Sequence, residues 1–95
     1  MLEFDVTVRN QRGLHARPAA RVVAMTSEFD SNVRLIYEDR NVDGKSILGL
    51  LVLAAPQGAR LRVQLDGPDE QRAERRLQAL FDSLNKAGIQ HQTAE

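Results

Sequence analysis

Apolar and polar residues alternate along two segments of the chain in the way that predicts half-buried strands. From Leu2 to Val8, and again from Arg60 to Leu65, every second residue is apolar and its neighbours are charged or polar. This period of two places the apolar side chains of a strand on one face of a sheet. Two shorter segments, Asn32 to Tyr37 and Arg40 to Val42, predict two more strands joined by the polar pair Glu38-Asp39.

Two further segments have the composition of helices. Residues from Ala16 to about Ser27 favour helix, and Pro18 is compatible with it because proline is tolerated in a first turn. Ile47 to about Leu53 predicts a short helix that begins after a loop and ends before Pro56.

A third predicted helix has a clear amphipathic stripe. The negative charges of Asp69 and Glu70 suit its N-terminus. Apolar residues then recur at spacings of three and four residues, namely Ala73, Leu77, Leu80, Phe81 and Leu84. Gly88 predicts the end of this helix, and residues 89–95 are expected to form a flexible tail.

The predicted order of elements is strand, helix, strand, strand, helix, strand, helix. Because each strand has one apolar face, we expect helices to cover the sheet on one side only. The fold class is therefore α+β, a two-layer sandwich. A chain of 95 residues suits one domain, which we assign to residues 1–88.

Composition narrows the possible functions. Thirteen basic and thirteen acidic side chains cancel, so the positive charge typical of a nucleic-acid-binding protein is lacking. The chain has no cysteine, which excludes disulfides and thiolate ligands. The N-terminal segment does not resemble a signal peptide, and the longest apolar run is about half the roughly 20 residues that cross a bilayer. We therefore expect a cytoplasmic protein without membrane insertion, metal or cofactor.

One histidine stands where a loop meets the start of the first predicted helix. A helix N-terminus has unpaired backbone N–H groups and a partial positive charge, which favour a bound phosphate. A neutral imidazole at His15 can attack phosphorus, and the N–H groups of Ala16 and Arg17 would then face the transferred oxygens. The guanidinium of Arg17 also suits phosphate. A histidine in this position is more often a cap or a surface residue, so residue types alone leave both interpretations open.

The segment GLHARPAA, residues 13–20, resembles the active-site signature of the HPr family of histidine phosphocarriers. A second segment, KSILGLLVLA at residues 45–54, resembles the regulatory-serine signature of the same family. The resemblance implies an open-faced sandwich, in which three helices cover one side of a four-stranded antiparallel sheet. It also implies that phospho-enzyme I of the sugar phosphotransferase system phosphorylates His15 at Nδ1. Arg17 would contact the phosphoryl group, which then passes to an enzyme IIA.

Ser46 has two compatible interpretations. Serine is among the preferred helix N-caps, so capping of the short helix alone would explain it. The family resemblance implies that an HPr kinase/phosphorylase phosphorylates this residue in many bacteria. The added negative charge would then repel an acidic partner at a nearby docking surface.

A small apolar surface is expected beside His15. The short helix is apolar nearly all round, and we expect Leu50 and Leu53 to point inward while other residues stay partly outside. The first helix should bury Ala19, Val22, Val23 and Thr26. The predicted docking residues are Ala16, Ala20 and Ala24 of the first helix and Ile47, Leu48 and Leu51 of the second.

The charges around this surface depart from the family pattern. Many family members carry lysines along the first helix, whereas Ala24 and Ser27 stand at comparable positions here. Arg17, Arg21 and Lys45 remain as the nearby positive charges, so docking is expected to depend more on apolar contact and less on salt.

The leading hypothesis is a monomeric phosphoryl carrier, which is consumed and regenerated as a substrate and is not an enzyme in its own right. The alternative is a mainly regulatory protein of carbon or nitrogen metabolism, in which Ser46 acts as a switch and sugar transport matters little. A domain without phosphoryl chemistry would require both motifs to be coincidental.

Overall fold

The computed structural model describes the backbone of residues 1–94 and the side chains of residues 1–85. The elements are β1 (Leu2–Thr7), α1 (Ala16–Thr26), β2 (Asn32–Tyr37), β3 (Arg40–Asp43), α2 (Ile47–Leu53), β4 (Arg60–Asp66) and α3 (Glu70–Ala94). Their order and type confirm the predicted sequence of strands and helices. Each strand bound differs by at most one residue from that of the predicted segment.

The four strands form one antiparallel sheet in the order β1-β4-β2-β3. The register aligns Phe4 of β1 with Val63 of β4, and Val63 with Leu35 of β2. Because a strand alternates its side chains between two faces, this register gathers the apolar residues of all strands on the same side. The opposite face carries charged residues, such as Arg62 beside Glu3 and Asp5.

The apolar side of the sheet is covered by the three helices, as predicted. The stripe of α3 is buried throughout, from Ala73 to Leu84. In α2, Leu50 and Leu53 are fully buried, in agreement with their predicted inward orientation. In α1, Ala19, Val22 and Thr26 are buried, together with Pro18, whereas Val23 is only half-buried. The buried apolar residues of α3 and α2, together with Ala19 and Val22 of α1, belong to one continuous core, and Val23 packs against it.

The predicted end of the last helix at Gly88 is wrong. Helix α3 continues to Ala94. A glycine inside a helix costs only about 1 kcal/mol relative to alanine, and the glutamine and alanine residues that follow favour helix. The flexibility expected of residues 89–95 stays a prediction, because their side chains lie outside the described part of the chain.

Two polar contacts fix the loops that surround α1. The hydroxyl of Thr26 is fully buried and donates to the carbonyl of Gly44 at 2.7 Å, which ties the end of α1 to the loop before α2. The carboxylate of Asp69 accepts from the backbone N–H groups of Asp30 and Ser31 and from the Ser31 hydroxyl. The start of α3 is thereby joined to the loop between α1 and β2.

A candidate phosphoryl-accepting site at the start of α1

The loop that leads to His15 is held by backbone contacts to the loop after α2. Gly13 has a φ of 69°, a left-handed conformation, and its N–H donates to the carbonyl of Asn10 at 3.0 Å. The N–H of Leu14 donates to the carbonyl of Ala55 at 2.8 Å, and the Leu14 side chain is buried. A Cβ at position 13 would collide with the Ala55 carbonyl and lie 2.8 Å from Cα of Pro56. Position 13 therefore requires glycine for both its conformation and its close contact.

His15 is the N-cap residue of α1, with extended backbone angles of −90° and −168°. The first intrahelical hydrogen bond runs from the N–H of Ala19 to the carbonyl of His15, at 2.9 Å. The side chain of His15 makes no capping hydrogen bond and is half-buried. This observation removes the interpretation of His15 as a side-chain cap and leaves the imidazole available at the surface.

The first turn of α1 presents two backbone donors beside this imidazole. The N–H of His15 donates to the carbonyl of Gly13 at 3.0 Å, and Pro18 has no N–H. Within the described part of the chain, the N–H groups of Ala16 and Arg17 have no acceptor, as expected of the first positions of a helix. These are the two donors that the sequence assigns to a phosphoryl group. They point in the direction of the positive end of the helix dipole.

Arg17 supplies a charge at the same end of the helix. Its side chain is exposed, and it forms no ion pair with any described residue. A guanidinium that is not already paired keeps its donors for an incoming anion. The site therefore combines an imidazole, two backbone donors and one guanidinium at the surface.

A comparison of the whole chain decides the family. A family model described as the phosphorylation site of the HPr component of the phosphotransferase system matches residues 2–83. The chain belongs to the HPr family. The phosphocarrier protein HPr of Xylella fastidiosa strain Temecula1 is 47% identical over 83 residues, which cover 87% of this chain and 93% of that protein.

Solved structures agree with this assignment. HPr-C-His from Thermoanaerobacter tengcongensis superposes with a TM-score of 0.85 at 35% identity, covering 90% of this chain and 97% of the other. The catabolite repression protein Crh of Bacillus subtilis superposes with a TM-score of 0.70 at 38% identity, covering 88% and 97%, and that structure is described as a swapped dimer. The open-faced sandwich inferred from the two motifs is thus the fold of this HPr chain.

The second motif of this HPr chain forms a capped helix. Ser46 is the N-cap of α2, and its hydroxyl oxygen accepts from the N–H of Gly49 at 3.0 Å. The preceding turn is closed by the N–H of Ser46, which donates to the carbonyl of Asp43 at 3.1 Å. The predicted capping role of Ser46 is confirmed. Its phosphorylation stays a prediction.

The predicted docking residues all lie at the surface. Ala16, Ala20 and Ala24 are exposed along one stripe of α1, and α1 packs against α2. On α2, Leu48 is 71% exposed, and Leu51 and Ile47 are 40% and 37% exposed. Val52, which was not among the predicted docking residues, is 67% exposed and enlarges the apolar patch. Exposed apolar side chains on both helices are the kind of surface that a transient partner covers.

Lys45 was expected among the positive charges around the docking surface, and the structure shows which contact its side chain makes. Its ammonium group donates to the carbonyl of Phe29 at 2.7 Å, beyond the C-terminal end of α1. His15 lies at the opposite end of the same helix. A lysine whose stem can lie along the protein surface bonds to an orphan carbonyl there, and that contact is not visible in sequence spacing.

Two residues that support the site carry no sequence signal. Asn85 of α3 accepts from the N–H of Arg9 at 3.0 Å and donates to the carbonyl of Thr7 at 3.1 Å, so it holds the end of β1. Ala54 ends α2 in a left-handed conformation, with φ of 52°, immediately before the carbonyl that binds Leu14. Neither an asparagine inside a helix nor an alanine in an apolar run indicates such a role.

The described residues contain no group of three or more potential metal ligands. No helix in that part of the chain has the length and apolar character needed to span a membrane.

Proposed function

We propose that His15 accepts a phosphoryl group from phospho-enzyme I and passes it to an enzyme IIA of the sugar phosphotransferase system. The observation that carries this proposal is the uncapped imidazole of His15 beside the free N–H groups of Ala16 and Arg17. The relay operates in the cytoplasm, and the protein is regenerated with each cycle.

The transfer step is an in-line displacement at phosphorus. The neutral imidazole attacks through Nδ1, a bond from that nitrogen to phosphorus forms, and the bond from phosphorus to the donor atom of enzyme I breaks. The helix N–H groups and Arg17 balance the negative charge of the equatorial oxygens. Transfer to enzyme IIA reverses these roles, with His15 as the leaving group.

The open position of the site suits two successive partners. A buried phosphohistidine would be inaccessible to a second protein, whereas His15 is only half-buried. The docking residues of α1 and α2 lie on adjacent helices, so enzyme I and enzyme IIA can cover the same surface in turn. A monomer leaves this surface free, and we propose the monomer as the active form even though the similar Crh structure is a dimer.

The first test is phosphorylation by enzyme I with phosphoenolpyruvate and magnesium, followed by intact mass measurement. Wild-type protein should gain one acid-labile phosphoryl group, and His15→Ala should gain none. His91→Ala is the matched control, since the chain has two histidines, and it should be phosphorylated like the wild type. Absence of phosphorylation of the wild type by a cognate, demonstrably active enzyme I would refute the carrier function.

Ser46 is proposed as a regulatory site of the same protein. An HPr kinase/phosphorylase would transfer phosphate to the hydroxyl that now accepts from Gly49, at the edge of the docking surface. The test is incubation with this kinase and ATP, with Ser46→Ala as the control. The phosphoserine form should then be phosphorylated more slowly at His15, and an unchanged rate would refute the regulatory effect.

A further inference from the structure

The charged residues of this neutral chain are unevenly distributed. Residues 6–27 and residues 44–65 contain no aspartate or glutamate. These two segments contain the His15 loop, α1, α2 and the loop after α2, together with the end of β1 and most of β4. The arginine residues near His15 in the sequence therefore have no aspartate or glutamate close to them along the chain. Neither Arg12 nor Arg17 forms an ion pair with any described residue, whereas Arg60 is paired with Asp5 at 3.5 Å.

Arg12 stands at the corner of a fixed turn. The hydrogen bond from the N–H of Gly13 to the carbonyl of Asn10 closes a four-residue turn in which Arg12 is the third residue. The turn is continuous with Leu14, whose backbone is bonded to Ala55. The Arg12 side chain is exposed. Its backbone is thus held in place while its guanidinium remains free to bind.

The separation of Arg12 and His15 along the chain is short enough for an arginine side chain to span. His15 follows Arg12 by three positions, which is a span of at most about 11 Å even in a fully extended chain. The chain here is not extended, because the N–H of His15 donates back to the carbonyl of Gly13 at 3.0 Å. The long side chain of an arginine covers the remaining separation.

We propose that Arg12 is a second guanidinium that contacts the phosphoryl group on His15. This inference rests on the proposed phosphorylation of His15. Phosphoryl oxygens at neutral pH carry a charge of roughly −1.5 to −2, which exceeds what Arg17 alone neutralises. Arg12 approaches from the loop side and Arg17 from the helix side, so the two planar donors bind different oxygens. The contact exists only in the phosphorylated state, which Arg12 therefore stabilises over the free state.

The test is a competition for a limited amount of phosphoryl group. Wild-type protein and Arg12→Ala are mixed in equal amounts with catalytic enzyme I and less phosphoenolpyruvate than total carrier. Enzyme I exchanges phosphoryl groups between the two proteins until equilibrium, and intact mass distinguishes all four species. Because a catalyst does not alter an equilibrium, the result is independent of how tightly each protein docks to enzyme I.

We expect the wild type to hold the phosphoryl group about three- to tenfold in excess over Arg12→Ala, the range for a charge-assisted contact at an exposed site. Arg12→Lys should fall between the two, because it keeps the charge and loses the planar donors. The matched control is Arg9→Ala, which removes the same charge from the start of the loop and should share the phosphoryl group equally with wild type. Equal sharing by Arg12→Ala would overturn the proposal.

A structural readout accompanies the competition. In 15N-labelled protein, the Nε–H resonance of Arg12 should shift when His15 is phosphorylated, while that of Arg9 should stay in place. An unshifted Arg12 resonance in fully phosphorylated protein would also overturn the proposal. If no protein in the mixture is phosphorylated by an active enzyme I, the carrier function itself fails, which is a different result from equal sharing.

Discussion

Replacement of Ser46 by alanine should destabilise the protein without impairing the His15 site. The substitution removes the acceptor of the Gly49 N–H, which lies 3.0 Å from the serine oxygen. Gly49 is half-buried, so water replaces the lost partner only in part. Loss of a serine N-cap costs about 1 kcal/mol, within a range of roughly 0.5–2 kcal/mol. In a domain of this size, 1 kcal/mol corresponds to a decrease in Tm of about 4–8 °C.

The assay is thermal unfolding followed by far-ultraviolet circular dichroism at neutral pH. Ser83→Ala is the matched control, because Ser83 is exposed on α3 and the same substitution there exchanges serine for a better helix former. Its Tm should stay the same or rise slightly. An unchanged Tm for Ser46→Ala would show that the observed hydrogen bond contributes nothing, and the capping account of the second motif would be wrong.

The same variants separate capping from regulation. Ser46→Asp restores an N-cap acceptor and places a negative charge at the start of α2, so its Tm should be close to that of wild type. Phosphorylation of His15 by enzyme I should proceed at the wild-type rate in Ser46→Ala and more slowly in Ser46→Asp. If both variants were slowed in proportion to their loss of stability, charge would not be the cause.

Three further predictions concern contacts in the loops that join the helices and strands. Thr26→Val removes the buried hydroxyl that donates to Gly44 and leaves its carbonyl unpaired, so denaturant unfolding should show a loss of about 1–3 kcal/mol. Ala54→Gly relieves the left-handed conformation of an alanine and should raise the free energy of unfolding by about 0.5–1 kcal/mol. The pKa of the Asp69 carboxyl is lowered, first by the hydrogen bond from the Ser31 hydroxyl and next by the one from the backbone N–H of Asp30. The stability that Asp69 contributes is therefore present above the ordinary carboxyl pKa and is lost as the pH falls through the lowered value. Asp69→Asn should be less stable than wild type at neutral pH, and a series of Tm measurements should show the difference shrinking in acid.

Each of these variants has a matched control in the chain. Thr26→Ser keeps the hydroxyl and should lose less stability than the valine variant, and the reverse order would contradict the hydrogen-bond argument. Gly58→Ala makes the opposite exchange at a left-handed position with open space around it, φ of 89°, and should destabilise the protein. Asp82→Asn removes a carboxylate from an exposed position on α3. If the Tm difference between Asp82→Asn and wild type depended on pH as strongly as that of Asp69→Asn, the hydrogen bonds of Asp69 would not be the cause.

The sequence predicts the layers of this fold well because the patterns that carry them are local. The alternation in β1 and β4 and the stripe of α3 each require only a few neighbouring residues to be recognised. The order of strands in the sheet is different, since β1 pairs with β4 across some sixty residues and no local pattern encodes that choice. The predicted end of α3 at Gly88 is wrong for a different reason, because a single glycine is a weak helix stop when the residues on both sides favour helix.

The candidate site divides in the same way. Two contiguous sequence motifs contain His15, Arg17 and Ser46. In the structure, the uncapped imidazole and the serine cap lie at the helix starts that those motifs predict. The supporting contacts join distant segments and were not predicted. Asn85 reaches the end of β1 from α3, and the backbone of Leu14 is bonded to the loop after α2. Those partners are chosen by tertiary packing.

These distant contacts explain how a histidine at the surface can be a well-defined site. An open surface offers no walls to orient a reacting group, so orientation must come from the backbone on either side of it. Here the preceding loop is fixed at Gly13 and Leu14, and the following helix begins at His15 itself. The two free N–H donors are consequently in position before any phosphoryl group arrives, and little reorganisation accompanies its binding. A variant that loosens the loop, such as Gly13→Ala, should for this reason impair phosphoryl acceptance beyond what its loss of stability explains.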